Sequence, residues 1–142
     1  MEPGRYMVSE AGVLLLHVTQ VRTKGGYRFV GVDSGMNALI RPALYKAVHE
    51  IVNYSRLGES DEPTPYQVVG PICETGDVLG HDRLLPKTVP GDVLLVGNGG
   101  AYGAVMSSYY NRRLPASEVV ITSAPTGDVL VKAAPNSNFP VW

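Results

Sequence analysis

The sequence predicts a mainly β domain, a Greek-key barrel or sandwich with one or two short helices. Sixteen glycines and eleven prolines in 142 residues imply many turns, which favours short strands over long helices. Apolar runs of strand length recur between those turns, and a Gly-Gly pair joins two of the runs as in a tight hairpin. We expect about seven to nine short strands in a single domain over residues 1–142.

The β structure begins with a hairpin. Residues 13–22, VLLLHVTQVR, form the first strand, Lys24-Gly25-Gly26 forms the turn, and residues 27–33 form the returning strand. Two glycines suit a hairpin turn because its central residues need positive φ.

The next segment, NALIRPALYKAVHEI, has a different period. Its apolar residues recur at helical spacing and predict a short helix; they are Leu39, Ala43, Leu44, Ala47 and Val48. Pro42 is tolerated only near the first turn of that helix.

The second half of the chain alternates loops and strands. RLGESDEPTP reads as a solvated loop, and four apolar runs follow it: YQVVGPI, DVLLV, SEVVITS and DVLVKAA. The wording Gly-Asp-Val-Leu occurs at Gly76, Gly91 and Gly127. The spacings are unequal, so we interpret this as recurrent turn chemistry and not as a structural repeat. The tail APNSNFPVW has no clear assignment.

Charge, hydropathy and cysteine content argue against several kinds of partner, segment and metal site. The net charge of −1 gives no electrostatic case for a nucleic-acid or membrane partner. No apolar run is long enough for a membrane helix, and the N-terminus lacks the regions of a signal peptide. One cysteine rules out an intrachain disulfide and a cysteine-cage zinc site. A cytoplasmic protein is the default expectation.

Two short motifs could bind anions. In Glu2-Pro3-Gly4-Arg5, a turn could present backbone N–H groups with Arg5 as a clamp, or it could be an ordinary terminal turn. Arg41 and Tyr45 lie four residues apart, so on a helix they would share a face and could hold a carboxylate. Arg41 precedes Pro42, which biases it away from helical geometry and leaves that shared face open.

The single cysteine stands beside a carboxylate at a polar turn. A lone cysteine is more often inert core, but a neutral thiol can donate a proton, and Glu74 would favour the protonated form of Cys73. The residues therefore suit a general acid better than a nucleophile. The loop from Gly97 to Gly103 carries one large side chain, Tyr102. Its glycines could admit a ligand close to the backbone or form a flexible hairpin tip.

Four segments in order carry a family resemblance: EPGR, DSGMNALIRPALY, VVGPICETGD and GAYGAVMSSYYN. Together they resemble the C-terminal part of the diaminopimelate decarboxylases, which are pyridoxal-phosphate-dependent enzymes of fold type III with an alanine-racemase-like β domain. The similarity runs from Glu2 to about Val120. Relatives acting on ornithine or arginine tend to carry aspartate after the cysteine, so Glu74 and RPALY favour diaminopimelate.

The resemblance implies a composite active site. An N-terminal (β/α)₈ barrel carries the lysine that binds pyridoxal phosphate, and the site forms between the barrel of one subunit and the β domain of its partner. Glu2, Pro3, Gly4 and Arg5 would contact the cofactor phosphate, and Arg5 would also reach the substrate. The barrel is expected to be missing here, since none of Lys24, Lys46, Lys87 and Lys132 matches the family's lysine motif.

The remaining roles also follow from the resemblance. Arg41 and Tyr45 would bind the substrate carboxylate region, and Tyr102 would contact cofactor and substrate. Cys73 would be the proton donor across a homodimer, and Glu74 would recognise the distal ammonium of the amino-acid substrate. We therefore expect a domain that is inactive alone and self-associates through its uncovered barrel-facing surface. The alternatives are a non-catalytic β-barrel interaction module and a decarboxylase for another basic amino acid.

Overall fold

The structure, a computed structural model, describes residues 3–123 and 129–134. Two short helices lie in this part of the chain, α1 (Gly4–Val8) and α2 (Arg41–Tyr45). The strands are β1 (Leu14–Lys24), β2 (Tyr27–Val32), β3 (Ile51–Asn53), β4 (Thr64–Val69), β5 (Val78–Leu85), β6 (Val93–Val96), β7 (Glu118–Ser123) and β8 (Val129–Ala134).

A six-stranded sheet makes the body of the domain. Its order is β3-β6-β1-β2-β4-β5, and the pairings are antiparallel except for the parallel pair of β2 and β4. The end strands β3 and β5 contact each other, with the Ile51 side chain lying against Gly80. The sheet is therefore a nearly closed barrel, which confirms the predicted mainly β class. Strands β7 and β8 form a separate two-stranded sheet.

The core fills the inside of the curved sheet. Along β1, Leu16 and Val18 are buried, while Leu15 and His17, which alternate with them, are exposed; this is the period-two pattern of a strand with one face in the core. The buried cluster comprises Leu16, Val18, Val30, Val32, Leu39, Ile51, Tyr66, Val68, Leu79, Leu85, Leu94 and Val96.

The predicted hairpin is confirmed. Lys24 pairs with Tyr27 across a two-residue turn, and both turn glycines have positive φ, 58° at Gly25 and 84° at Gly26. Positive φ at both positions is the requirement of the turn that best fits strand twist.

The predicted helix is real but shorter than its apolar spacing indicates. It ends at Tyr45, and Lys46 adopts the left-handed conformation. Leu39, ahead of the helix, is buried in the core, whereas Val48, beyond it, is exposed. Arg41 is the first helical residue despite preceding Pro42, because Pro42 falls in the first turn, where no N–H is needed.

Two strands give weak sequence signals. Strand β3 has three residues and pairs only through its short contact with β6. In β5, His81, Asp82 and Arg83 interrupt the apolar run, and Asp82 has a φ of 48°. Neither segment shows the alternation that marks a strand in sequence.

The Gly-Asp pairs do more than turn the chain. At the second pair, Gly91 has a φ of 97°, and the buried Asp92 accepts hydrogen bonds from the Val89 N–H (2.9 Å), Asn53 Nδ2 (3.0 Å) and Arg56 Nε (3.2 Å). The third pair, Gly127-Asp128, lies outside the described residues.

This network makes stability depend on pH. Burial raises the pKa of the Asp92 carboxyl, but the hydrogen bonds from Asn53, Val89 and Arg56 outweigh burial and leave the pKa below its ordinary value of 3.8. A lowered folded-state pKa means that the contribution is present above pH about 4 and is lost as the pH falls further. We expect the difference in unfolding free energy between wild type and Asp92→Asn, from urea denaturation between pH 7 and pH 3, to narrow at low pH. A constant difference would contradict this.

Among the described residues, no helix combines the length and apolarity needed to cross a bilayer.

Candidate functional site

An open groove of about 410 Å³ lies between the N-terminal segment, the α2–β3 connection and the glycine-rich loop. Arg5 and Arg41, far apart in sequence, both line it, together with His49 and Asn98. Glu10 lines the groove too, so the two guanidinium groups leave it with an excess of positive charge, which suits carboxylate or phosphate. Pro3 also lines the groove and Gly4 begins α1, whereas Glu2 lies outside the described residues.

Arg41 also stacks on two tyrosines. Its guanidinium carbon lies 5.3 Å from the centre of the Tyr102 ring and 5.9 Å from that of Tyr45. Arg41 and Tyr45 therefore do share a face, because the helix begins at Arg41. Both distances are within cation–π range, and both rings keep part of their surface exposed. Tyr102 reaches this position with a φ of 66°, a conformation that only the surrounding contacts can maintain.

The glycine-rich loop owes its glycines to the protein's own backbone. The Gly99 N–H donates to the Gly12 carbonyl (2.8 Å), and the Gly100 N–H donates to the Ser9 carbonyl (3.1 Å). A Cβ on Gly100 would overlap the Val8 carbonyl oxygen. We call this contact of residues 8–12 with Gly99 and Gly100 the backbone clasp. This close packing accounts for Gly100 without a ligand, and it was not among the alternatives that the sequence offered.

Cys73 and Glu74 lie in the turn between β4 and β5, where both are exposed. Asn111 Nδ2 donates to Cys73 Sγ (3.3 Å), and the Tyr110 hydroxyl donates to Glu74 Oε1 in a short hydrogen bond. That hydrogen bond and the charge of Glu74 raise the pKa of Tyr110, so the hydroxyl keeps its proton. The turn thus presents a thiol and a carboxylate side by side, each held by one polar partner.

Tyr110 and Asn111, which contact Glu74 and Cys73, were not among the residues predicted from the sequence. The only signal for them was their place at the end of the fourth resembling segment, in the letters YYN. Asn111 has a φ of 55°, which asparagine tolerates better than most residues.

The predicted residues fall into two groups within the described chain. The groove and its stack gather Arg5, Arg41, Tyr45 and Tyr102. Cys73 and Glu74 form the second group, and neither lines the groove. The turn that carries Cys73 and Glu74 nevertheless lies near α2, since a Cβ on Gly76 would come within 3.9 Å of the Ala43 side chain.

Comparison with known proteins assigns the family. The model of the pyridoxal-dependent decarboxylase C-terminal sheet domain matches residues 5–100. The diaminopimelate decarboxylase of Archaeoglobus fulgidus is 48% identical over 122 residues, which are 86% of this chain and 29% of that protein. The enzyme of Neisseria meningitidis serogroup A is 47% identical over 121 residues, which are 85% of this chain and 29% of that protein.

Solved structures support the same family assignment. Diaminopimelate decarboxylase from Helicobacter pylori, complexed with L-lysine, matches with a TM-score of 0.78 at 35% identity, covering 94% of this chain and 32% of that one. Lysine decarboxylase from Selenomonas ruminantium matches at 26% identity with a TM-score of 0.65, over 75% of this chain and 28% of that one. The chain spans about 30% of the length of the curated relatives it matches. With its matched sheet domain and its barrel-like fold, the chain belongs to the family of pyridoxal-dependent decarboxylases, within their C-terminal sheet domain.

Proposed function

We propose that this chain supplies the substrate-binding surface and the proton donor for the decarboxylation of meso-diaminopimelate to L-lysine. The observation that carries the proposal is that Arg5, Arg41, Tyr45 and Tyr102 gather at one groove and its stack, while Cys73 and Glu74 lie side by side on an exposed turn. Following the family resemblance, we propose that a complete site combines the groove of one copy with the Cys73 turn of another. This is the composite arrangement expected for a homodimer whose barrel domains lie between them.

The groove is chemically suited to pyridoxal 5′-phosphate and an amino acid. Both carry anionic groups, and the lining offers the guanidinium groups of Arg5 and Arg41, which can each bind an anion in bidentate fashion. When bound, the cofactor supplies an electron sink for the carbon that loses its carboxylate. In this proposal Arg5 and the Pro3-Gly4 backbone hold the phosphate, and Tyr102 lies against cofactor and substrate.

The substrate is held at its far end by this chain. Arg41, held by cation–π contacts with Tyr45 and Tyr102, would bind the distal carboxylate, with the Tyr45 hydroxyl beside it. Glu74 of the second copy would bind the distal ammonium. A substrate with an amino-acid group at each end pairs with both Arg41 and Glu74. Lysine, ornithine and arginine have only a cation at the distal end and pair with Glu74 alone.

Cys73 would then deliver the proton. Its S–H bond breaks, the proton passes to the substrate carbon that has lost carbon dioxide, and the electron pair stays on sulfur as a thiolate. The Asn111 N–H that points at Sγ can stabilise that thiolate, since a hydrogen bond to the charged form favours it. Proton delivery of this kind typically contributes about 10²–10⁴-fold in rate.

A domain-joining experiment tests the function. The chain would be fused behind the barrel of a related diaminopimelate decarboxylase, in place of that enzyme's own β domain, and supplied with pyridoxal phosphate. We expect the fusion to release carbon dioxide from meso-diaminopimelate and to act at least about 10-fold less efficiently on lysine or ornithine, because those lack the distal carboxylate. The chain alone should release none.

Two controls make the result decisive. The parent enzyme, prepared and assayed in parallel, shows that the barrel is competent. A folded fusion that is inactive while the parent is active would contradict the proposed function and favour a non-catalytic interaction module. Enzyme-like carbon dioxide release by the unfused chain would contradict the need for a barrel. Light scattering on the fusion tests the homodimer.

A further inference from the structure

Asp77 ends the turn that carries Cys73 and Glu74, and it is only 3% exposed. Its Oδ1 accepts a hydrogen bond from the Met36 N–H (2.6 Å), and its Oδ2 accepts one from the Ile72 N–H (2.7 Å). Ile72 directly precedes Cys73. One carboxylate therefore joins the Cys73 turn to a second turn, residues 34–37, that lies more than thirty positions earlier in the chain.

The fit around this carboxylate is close on both sides. A Cβ on Gly35 or on Gly70 would overlap the Asp77 carboxylate oxygens. The Asp77 backbone is also held, with its N–H donating to the Glu74 carbonyl (3.1 Å) and its carbonyl accepting from the Gly70 N–H (3.0 Å). The side chain and the main chain of Asp77 thus fix both ends of the turn.

A second buried residue extends the connection to the partners of the thiol and the carboxylate. Asn37 is 1% exposed, and its carbonyl accepts from the Ser108 N–H (2.8 Å). Its Nδ2 donates to the Leu114 carbonyl (3.5 Å). The segment between those two residues contains Tyr110 and Asn111, which contact Glu74 and Cys73.

The hydrogen bonds therefore form a closed ring of three segments. Residues 70–77 carry the functional pair, residues 34–37 anchor it through Asp77, and residues 108–114 return to it from Asn37. Within the described chain, no lysine or arginine forms an ion pair with Asp77, so its charge is met by backbone N–H groups. Charge-assisted hydrogen bonds of this kind are stronger than neutral ones, which suits a fixed joint.

We propose that Asp77 is a positioning residue that fixes the direction of the Cys73 thiol and the Glu74 carboxylate. The inference rests on the proposed function only in naming Cys73 as proton donor. Proton transfer is sensitive to position, and an error of about 1 Å can cost about 100-fold in rate. An exposed turn would not hold such a position by itself, and the ring supplies the missing constraint.

Asp77→Asn tests this with little change in shape. The amide keeps one acceptor oxygen but turns an NH₂ group toward a backbone N–H, so one of the two anchoring hydrogen bonds is lost. Asp92→Asn is the matched control, because Asp92 follows a glycine in the same Gly-Asp-Val-Leu wording, is also buried and also accepts a backbone N–H. The partners of Asp92 are Asn53, Arg56 and Val89, none of which belongs to the Cys73 turn.

The first measurement uses this chain alone. We expect hydrogen exchange of the Met36 and Ile72 amides to rise at least about 10-fold in Asp77→Asn relative to wild type. In Asp92→Asn these two amides should exchange at the wild-type rate when each protein is measured at the same interval below its own Tm. If Asp77→Asn does not fold, Gly35→Ala gives the same test, since it displaces the carboxylate without removing it. Unchanged exchange at both amides would overturn the proposal, whatever the activity of the fusion.

The second measurement uses the active fusion. Asp77→Asn should lower kcat about 10–100-fold and enlarge the solvent deuterium isotope effect on kcat, because misplaced proton delivery becomes rate-limiting. Asp92→Asn should leave the isotope effect at the wild-type value. Equal effects of the two variants would show a merely structural role and overturn the proposal. An inactive wild-type fusion would count against the proposed function, and the exchange result would still decide the positioning role.

Discussion

Cys73→Ala in an enzyme that carries this chain as its C-terminal domain is expected to lower kcat by about 10²–10⁴-fold. The reason is that the variant removes the S–H group from which the proton is delivered, while the cationic groove is lined by other residues. KM for diaminopimelate should therefore change far less than kcat. Steady-state carbon dioxide release across a range of substrate concentrations separates the two parameters.

Two matched treatments sharpen that test. Cys73→Ser keeps an O–H group of similar size that is a much weaker acid, so its kcat should lie between wild type and Cys73→Ala. Alkylation is the chemical counterpart, since Cys73 is the only cysteine of the chain and is exposed. In a fusion whose barrel cysteines are replaced, iodoacetamide should abolish activity. A Cys73→Ala fusion with wild-type kcat would rule out the thiol as proton donor.

Gly100→Ala is expected to destabilise the isolated chain by about 1–3 kcal/mol, the usual cost of forcing extra volume into packed structure. The added methyl would overlap the Val8 carbonyl oxygen, which is backbone and cannot rotate away as a flexible side chain could. To relieve the overlap, the backbone clasp must open and lose the hydrogen bond from Gly100 to Ser9. Urea denaturation of wild type and variant measures the difference.

Gly97→Ala is the control within the same loop. A Cβ there would meet Glu50 Cβ at 3.7 Å, an ordinary contact, and Gly97 does not need positive φ. Its unfolding free energy should stay within about 0.5 kcal/mol of wild type, as for most substitutions away from special features. Equal losses for the two alanine variants would mean that loop flexibility, and not the close backbone approach, decides the stability.

The sequence predicts most of the fold because its signals are local. The Gly-Gly hairpin, the apolar runs and the proline at the start of α2 each specify a conformation within a few residues. Strand β3 escapes such reasoning because three residues carry no periodic pattern, and its pairing depends on a strand some forty positions away. The end of α2 could not be predicted because Lys46 adopts a left-handed conformation there, and lysine is not a residue type that indicates one.

In the candidate site, too, contacts between residues close in sequence could be predicted and long-range contacts could not. Arg41 and Tyr45 could be placed together from helical spacing, and Cys73 with Glu74 from adjacency. The contacts of Arg41 with Tyr102 and of Asn111 with Cys73 join residues 61 and 38 positions apart, and only the folded chain brings them together. The glycine-rich loop shows the limit most clearly, since its composition suggested ligand approach or a flexible tip, while at Gly100 the space for a side chain is taken by the backbone of residues 8–12.

The backbone clasp has a consequence for how a larger enzyme would assemble. The segment that follows Arg5 and the loop that bears Tyr102 are joined by main-chain hydrogen bonds at Gly99 and Gly100, so a shift of the segment would pull on the loop. In our proposal a neighbouring domain is joined through the N-terminal segment, and a change in its orientation would reach the Tyr102 loop through these hydrogen bonds. The seating of that domain and the contact of Tyr102 with Arg41 would then depend on each other.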